Sequence, residues 1–227
     1  SINPTGSFKA RGLAAAVSLA WSFNEVERLF TPFWRAAWNA AAAVLLGGAL
    51  LFPLLAGADK ITDRMSPLAP RTLDGMTYMA TAAYNEKDTV MTLGEDYRAI
   101  LWMQENIAGS PVIVEGSVGE YRWGNRYTIY TGLPSVVGWN WHQRQQRAVT
   151  PEIWVTGRVA AVGEFYTYPD PQQALDFLKR YEVSYIVVGQ MERAIYPPEG
   201  LAKFEQEDGR LWDAVYRDGQ TAIYKVR

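Results

Sequence analysis

The sequence predicts an α/β protein: one N-terminal transmembrane helix followed by a mixed-sheet α/β domain with helices covering the sheet. Three observations lead there. Residues 36–58, AAWNAAAAVLLGGALLFPLLAGA, form an uncharged apolar run. Two short apolar runs, PVIVE at 111–115 and SYIVVG at 184–189, have the composition of strands buried on both faces. Amphipathic helical patterns alternate with those runs, the order of a sheet covered by helices.

Composition narrows the classes. The 227 residues are 48% hydrophobic and 20% charged, enough apolar side chain for a real core. A net charge of −2 argues against nucleic acid as a partner, since such proteins are normally basic or carry a basic stripe. Cysteine is absent, which removes disulfides, thiolate catalysis and Cys-type zinc. His142 is the single histidine and makes no metal site alone. Nine Trp and thirteen Tyr are a heavy load of rings that favour membrane interfaces and binding sites. The chain opens on Ser1 rather than Met and lacks a signal-peptide layout, so it reads as part of something longer.

Residues 1–20, SINPTGSFKARGLAAAVSLA, begin with turn chemistry and offer Ser7 as an N-cap. Lys9 then falls in the first turn, where the helix dipole lowers its pKa and suits it to Schiff-base chemistry. These residues resemble the pyridoxal-phosphate lysine segment of threonine synthase and its fold-type II relatives. The resemblance implies a pyridoxal phosphate cofactor on Lys9. Ala10 stands where that family often has Asp, the match covers less than a tenth of the chain, and no Gly-rich phosphate cradle follows. The other reading of 1–22 is a capped helix start or a fusion scar.

Residues 23–58 comprise the lead-in and the span. A bilayer core needs about 20 apolar residues of helix, and the run is apolar all round rather than along one stripe. An Ala-rich core helix is the alternative. Phe30, Phe33, Trp34 and Trp38 resemble an interfacial belt, and Gly47, Gly48 and Pro53 are tolerated in membrane helices. Lys9, Arg11, Arg28 and Arg35 precede the span; Lys60, Arg64 and Arg71 follow it among Asp59, Asp63 and Asp74. Acids count little in the positive-inside rule, so a slight bias puts the C-terminal domain outside the cytoplasm.

Residues 59–93 read as a juxtamembrane connector with a short helix around 75–84, and 94–227 as the α/β domain. Within it, 95–106 is an amphipathic helix and 171–181 another, capped by Asp170 with Pro171 at its start. Residues 201–205 suit a short helix, and 211–217 with 221–226 a hairpin around Asp218-Gly219. Two apolar strands plus that hairpin imply a partly parallel sheet with an antiparallel C-terminal edge.

The stretch 121–147, YRWGNRYTIYTGLPSVVGWNWHQRQQR, is too rich in Gly and aromatics for one regular element, and long loops in compact domains often carry function. Flat rings suit sugar faces, amides suit hydroxyls, and Arg122, Arg126, Arg144 and Arg147 suit phosphate. Candidate ligand contacts are Tyr121, Arg122, Trp123, Asn125, Arg126, Trp139, Trp141, His142, Gln143 and Arg147. The alternative is a local aromatic core near lipid headgroups. Glu115 and His142 are the candidate acid–base groups, each with a structural alternative.

From about Trp34 onward the chain resembles the C-terminal part of the YYY-type polytopic membrane proteins. The residues carrying this are the apolar span, TLDGMTYM (72–79), EDYRAILWMQEN (95–106), the 121–147 stretch and SYIVVGQMERAIYP (184–197). That family is similar to glycosyltransferases using lipid-phosphate sugar donors. The resemblance implies a membrane location, other transmembrane helices and lipid as partners, and glycan or lipid-linked-sugar binding without the catalytic half. A non-enzymatic anchored interaction domain and a pyridoxal-phosphate enzyme fragment are the competing readings.

Overall fold

A computed structural model of the chain describes residues 31–64 and 70–227. Lys9 and the rest of 1–22 lie outside the described residues. The chain divides between residues 67 and 68 into two units.

In the first unit, α1 (Pro32–Leu51) passes through a π-helical turn (Phe52–Ala56) into α2 (Gly57–Arg64). Together Pro32–Asp63 make a helix of 32 residues, long and apolar enough to cross a membrane. The expected span, 36–58, lies within it. Pro32 starts the helix, where its missing N–H costs nothing. Pro53 is the local reason for the wider turn: without an N–H it leaves a carbonyl of the preceding turn unbonded, a recognised cause of helix distortion.

The second unit is an α/β domain with a mixed sheet. A 3₁₀ turn (Thr77–Ala80) and a hairpin of β1 (Ala83–Glu86) and β2 (Thr89–Thr92) come first. They occupy the stretch expected as a connector, and Met79, Met91 and Leu93 are buried. The hairpin lacked a sequence signal because its turn uses Lys87 at φ 52° in place of glycine. Then follow α3 (Leu93–Asn106), β3 (Val112–Val114), α4 (Arg126–Thr131), α5 (Asn140–Gln146), α6 (Ile153–Thr167), α7 (Pro171–Arg180), β4 (Val183–Val188), α8 (Gln190–Ile195), α9 (Pro198–Gln206), β5 (Trp212–Asp218) and β6 (Thr221–Val226). Helix α7 is capped as the sequence predicts, Asp170 accepting from the Gln172 N–H at 2.9 Å.

The main sheet runs β3-β4-β6-β5, with β3 parallel to β4 and the β6–β5 hairpin antiparallel. Alternate residues feed two cores, as the two-residue period of a strand requires. Val114, Ile186, Val188, Ala222 and Tyr224 face the core built with α6, α7 and α9. Ile113, Val187 and Ile223 face the other, with Ala99, Ile100 and Met103 of α3 and Tyr127 of α4. The outer edge of β3 is covered by the chain at 134–135, where the Ile113 N–H donates to the Pro134 carbonyl at 2.8 Å. Tyr166 of α6 fixes the parallel pair from one side: its hydroxyl meets the Val187 carbonyl at 2.7 Å and that of Val114 at 3.1 Å.

Candidate functional site

The parallel strands β3 and β4 lead into Glu115-Gly116 and Gly189. In open α/β sheets the crevice beyond such carboxyl ends is the usual ligand site. Here a side chain of the protein itself occupies that place. Arg126, at the start of α4, is 1% exposed. Its Nε donates to Asp96 Oδ2 at 2.7 Å, its Nη2 to Glu192 Oε2 at 2.9 Å and its Nη1 to Glu192 Oε1 at 3.2 Å, with Glu115 Oε2 at 3.8 Å.

The carboxylates are anchored in turn. Glu115 accepts from the N–H groups of Tyr127 (3.1 Å) and Thr128 (2.9 Å) in the first turn of α4. Glu192 accepts from Gly116 N–H and Gly189 N–H, both at 2.8 Å. Asp96 accepts from the Tyr127 hydroxyl at 2.8 Å and Trp123 Nε1 at 2.7 Å. A Cβ on Gly116 would stand 2.9 Å from Glu192 Oε1, and one on Gly189 3.1 Å from Arg126 Nη2. Glycine at both positions is what lets the charged groups reach the backbone.

Burial works against every charge in this cluster. For Arg126 the neighbouring Asp96 and Glu192 outweigh it and hold the guanidinium pKa well above its ordinary value. For Glu192 burial is outweighed by Arg126, and its pKa is lowered. For Glu115 burial prevails over the more distant Arg126 and the two backbone donors, so its pKa is raised. Glu115 thus has the shifted acidity of a general acid, but its two oxygens are directed at backbone N–H groups in the interior.

Other side chains of 121–147 gather at the surface. Tyr121, 77% exposed, sits on a left-handed backbone at φ 62°, a conformation costing about 1 kcal/mol or more for a non-glycine residue. Its ring stands edge-on to His142 at 5.4 Å and 6.3 Å from Trp139, and Trp139 lies 5.3 Å from His142. Asn125, also left-handed at φ 56°, is buried. With its amide oriented as its neighbours require, it accepts from the Trp139 N–H and Nε1–H at 3.2 Å each and donates to the Val137 carbonyl. Trp141 is 47% exposed, its backbone N–H held by Glu120 at 2.8 Å and its ring under Arg144 at 5.5 Å. Trp123 points instead towards Tyr84 and Tyr130, and Arg122 pairs with the buried Glu86.

Gln143 and Arg147 line a groove of about 720 Å³ together with Val136, Trp154, Arg158, Arg180 and Tyr181, among others. The 121–147 candidates therefore separate. Arg126 and Trp123 bind the interior cluster, and Arg122 pairs with Glu86. Tyr121, Trp139 and His142 form a ring cluster held by Asn125, Trp141 lies exposed beside Arg144, and Gln143 and Arg147 border the groove. Arg158, Arg180, Trp154 and Tyr181 were not singled out from sequence. One signal was available, because Trp154 and Arg158 are four residues apart and so share a helical face. Among the described residues no cluster of three or more potential metal ligands occurs.

No family model matches the chain, and no curated protein matches it. Among solved structures it is similar to the C-terminal globular domain of an oligosaccharyltransferase from Archaeoglobus fulgidus, at 16% identity and a TM-score of 0.37, over 57% of this chain and 95% of that one. A likeness of that depth leaves function to the side chains.

Proposed function

We propose that this chain is the exterior C-terminal domain of a glycosyltransferase-like membrane protein, together with its last membrane span, and that it binds a glycan or lipid-linked sugar without itself carrying the catalytic half. One observation carries the reading: the ring cluster of Tyr121, Trp139 and His142, with the exposed Trp141 on the same helix as His142, adjoins an open groove through Gln143. Aromatic faces stack on the C–H faces of a sugar, and the neighbouring amide and guanidinium groups read its hydroxyls. The helix Pro32–Asp63 supports the membrane setting. The resemblance of 72–79 and 95–106 to YYY-type proteins supports the glycosyltransferase context, and the basic residues before the span support an exterior domain. Glu115 supports a binding role over turnover, since its oxygens are taken up by Tyr127 and Thr128 N–H groups.

The test is glycan binding by the full chain in phosphatidylcholine nanodiscs. Trp141→Ala is expected to weaken binding of an uncharged oligosaccharide by about tenfold, the value of one stacked ring. Trp139→Ala is expected to weaken it further, because it also removes the indole N–H that donates to Asn125. Equal binding by wild type and both variants overturns the assignment to this surface. A second reading, an interaction domain for membrane partners, is favoured by the exposed apolar side chains Val149, Ile153 and Trp154. Retained glycan binding in a Val149→Asp variant, changed outside the groove, that no longer co-purifies with membrane partners would separate that role from the first.

A further inference from the structure

We propose that the groove bordered by α5, α6 and α7 is a phosphate-binding site built from Arg147, Arg158 and Arg180. This rests on the glycan reading only for what carries the phosphate; the anion site itself stands on the arginines.

A shared groove without acidic lining sets them apart. Seven other arginines of the domain, residues 98, 122, 126, 144, 210, 217 and 227, form ion pairs with carboxylates. Arg71, Arg147, Arg158, Arg180 and Arg193 form none among the described residues. Arg193 borders Glu205 and Asp218, whereas Arg147, Arg158 and Arg180 share a groove lined by no Asp or Glu. Glu164 and Asp176 lie with Arg180 in the adjoining one. The interactions of the three groove arginines are with neutral groups. Arg147 Nε donates to Gln143 Oε1 at 3.1 Å, and Arg158 Nη1 to the Val136 carbonyl at 3.0 Å. Arg158 and Arg180 both lie against the Tyr181 ring, at 5.2 and 5.4 Å. A guanidinium has five N–H donors, so most of the donors in this set remain available to a ligand.

Two guanidinium groups held against one ring repel each other unless an anion comes between or beside them. A single carboxylate is satisfied by one bidentate arginine. Three arginines match a group with more oxygens and more charge, which phosphate provides. The space is there to receive it. Gly157 lines the groove, and a Cβ added to it would meet nothing within 4 Å. Trp154, 62% exposed, and Tyr181 supply ring faces at the same groove. A phosphate attached to a sugar would engage both features at once. The phosphate has two possible sources, a lipid headgroup or a water-soluble sugar phosphate.

The experiment is calorimetric titration of inorganic diphosphate into the full chain in phosphatidylcholine nanodiscs. Wild type is expected to bind, with affinity falling as salt rises, and the Arg158→Gln, Arg180→Gln double variant to bind at least about tenfold more weakly. Gly157→Leu keeps every charge, improves helix propensity and is expected to block binding by filling the groove. Repeating the titration with phosphatidylglycerol in the discs assigns the source. Loss of wild-type diphosphate binding there identifies a lipid headgroup as the occupant, and unchanged binding identifies a soluble phosphate. No binding by wild type, or equal binding by wild type and both variants, overturns the site. That failure is distinct from failure of the glycan reading, which Trp141→Ala reports on an uncharged oligosaccharide.

Discussion

Arg126 and Arg158 stand on different helices of one domain and face opposite circumstances. Arg126 is shut inside among Asp96, Glu115 and Glu192, with every carboxylate oxygen of the cluster directed at it or at a nearby N–H or O–H donor. Arg158 opens on a groove with a backbone carbonyl and a tyrosine ring beside it. Both are single positive charges on the same kind of side chain. A cation that the fold needs is supplied with its counter-ions from within. A cation left without them at a concave surface is available to an outside anion.

Stability measurements can break this contrast. The largest effect is expected from Arg126→Met, which leaves buried carboxylates without their cation and should lower unfolding free energy by about 3–5 kcal/mol. Chemical denaturation in detergent micelles, followed by tryptophan fluorescence, measures it, and a loss below about 1 kcal/mol would show that the cluster is not a structural lock.

Lys203 sharpens the comparison from a third direction, as a cation 1% exposed with no carboxylate partner. Its Nζ donates to the Gly200 carbonyl at 2.6 Å and lies 4.3 Å from the Phe204 ring. Burial lowers its pKa from 10.5 to about 8. Between those values the unfolded chain binds more protons than the folded one, so stability rises with pH across that window. Lys203→Met removes the cost of the buried charge and should stabilise by about 1 kcal/mol at pH 7. The advantage should shrink as pH climbs past 8 and be gone near 10.5, as thermal unfolding at several pH values would report.

The smallest stability effect belongs to the groove. Arg158→Gln and Arg180→Gln should each change stability by less than about 0.5 kcal/mol, since neither is part of an ion pair. A loss comparable to that of Arg126→Met would assign these arginines to the scaffold rather than to a ligand.

Much of the architecture was legible in the sequence. The apolar run at 36–58, the buried strands at 112–114 and 183–188, Asp170 as a cap and the Asp218-Gly219 hairpin all express local rules. Harder to see were β1 and β2, whose turn uses Lys87 where glycine is the usual signal, and α6, whose Ala, Gly and Val content gives no clean stripe. The site was legible as composition but not as geometry. The 121–147 stretch does hold exposed rings, yet sequence alone cannot say which arginine turns inward. Arg126 does so because Asp96 and Glu192, 30 and 66 residues away, converge on it. Arg158 and Arg180 became visible only once α6 and α7 brought them to Tyr181.

Those same separations bear on how the domain assembles. Glu192 follows β4, on the far side of the long crossover from β3, and Asp96 precedes both. A partial structure holding α4 against β3 but lacking the segment after β4 would bury Arg126 with its Nη1 and Nη2 donors deprived of the Glu192 carboxylate, whereas water would solvate it fully in the open chain. Half-built forms are thereby penalised relative to both ends of the reaction. The cluster thus favours all-or-none assembly, in which the crossover, with its rings and its groove, becomes ordered only when the whole sheet has closed around one arginine.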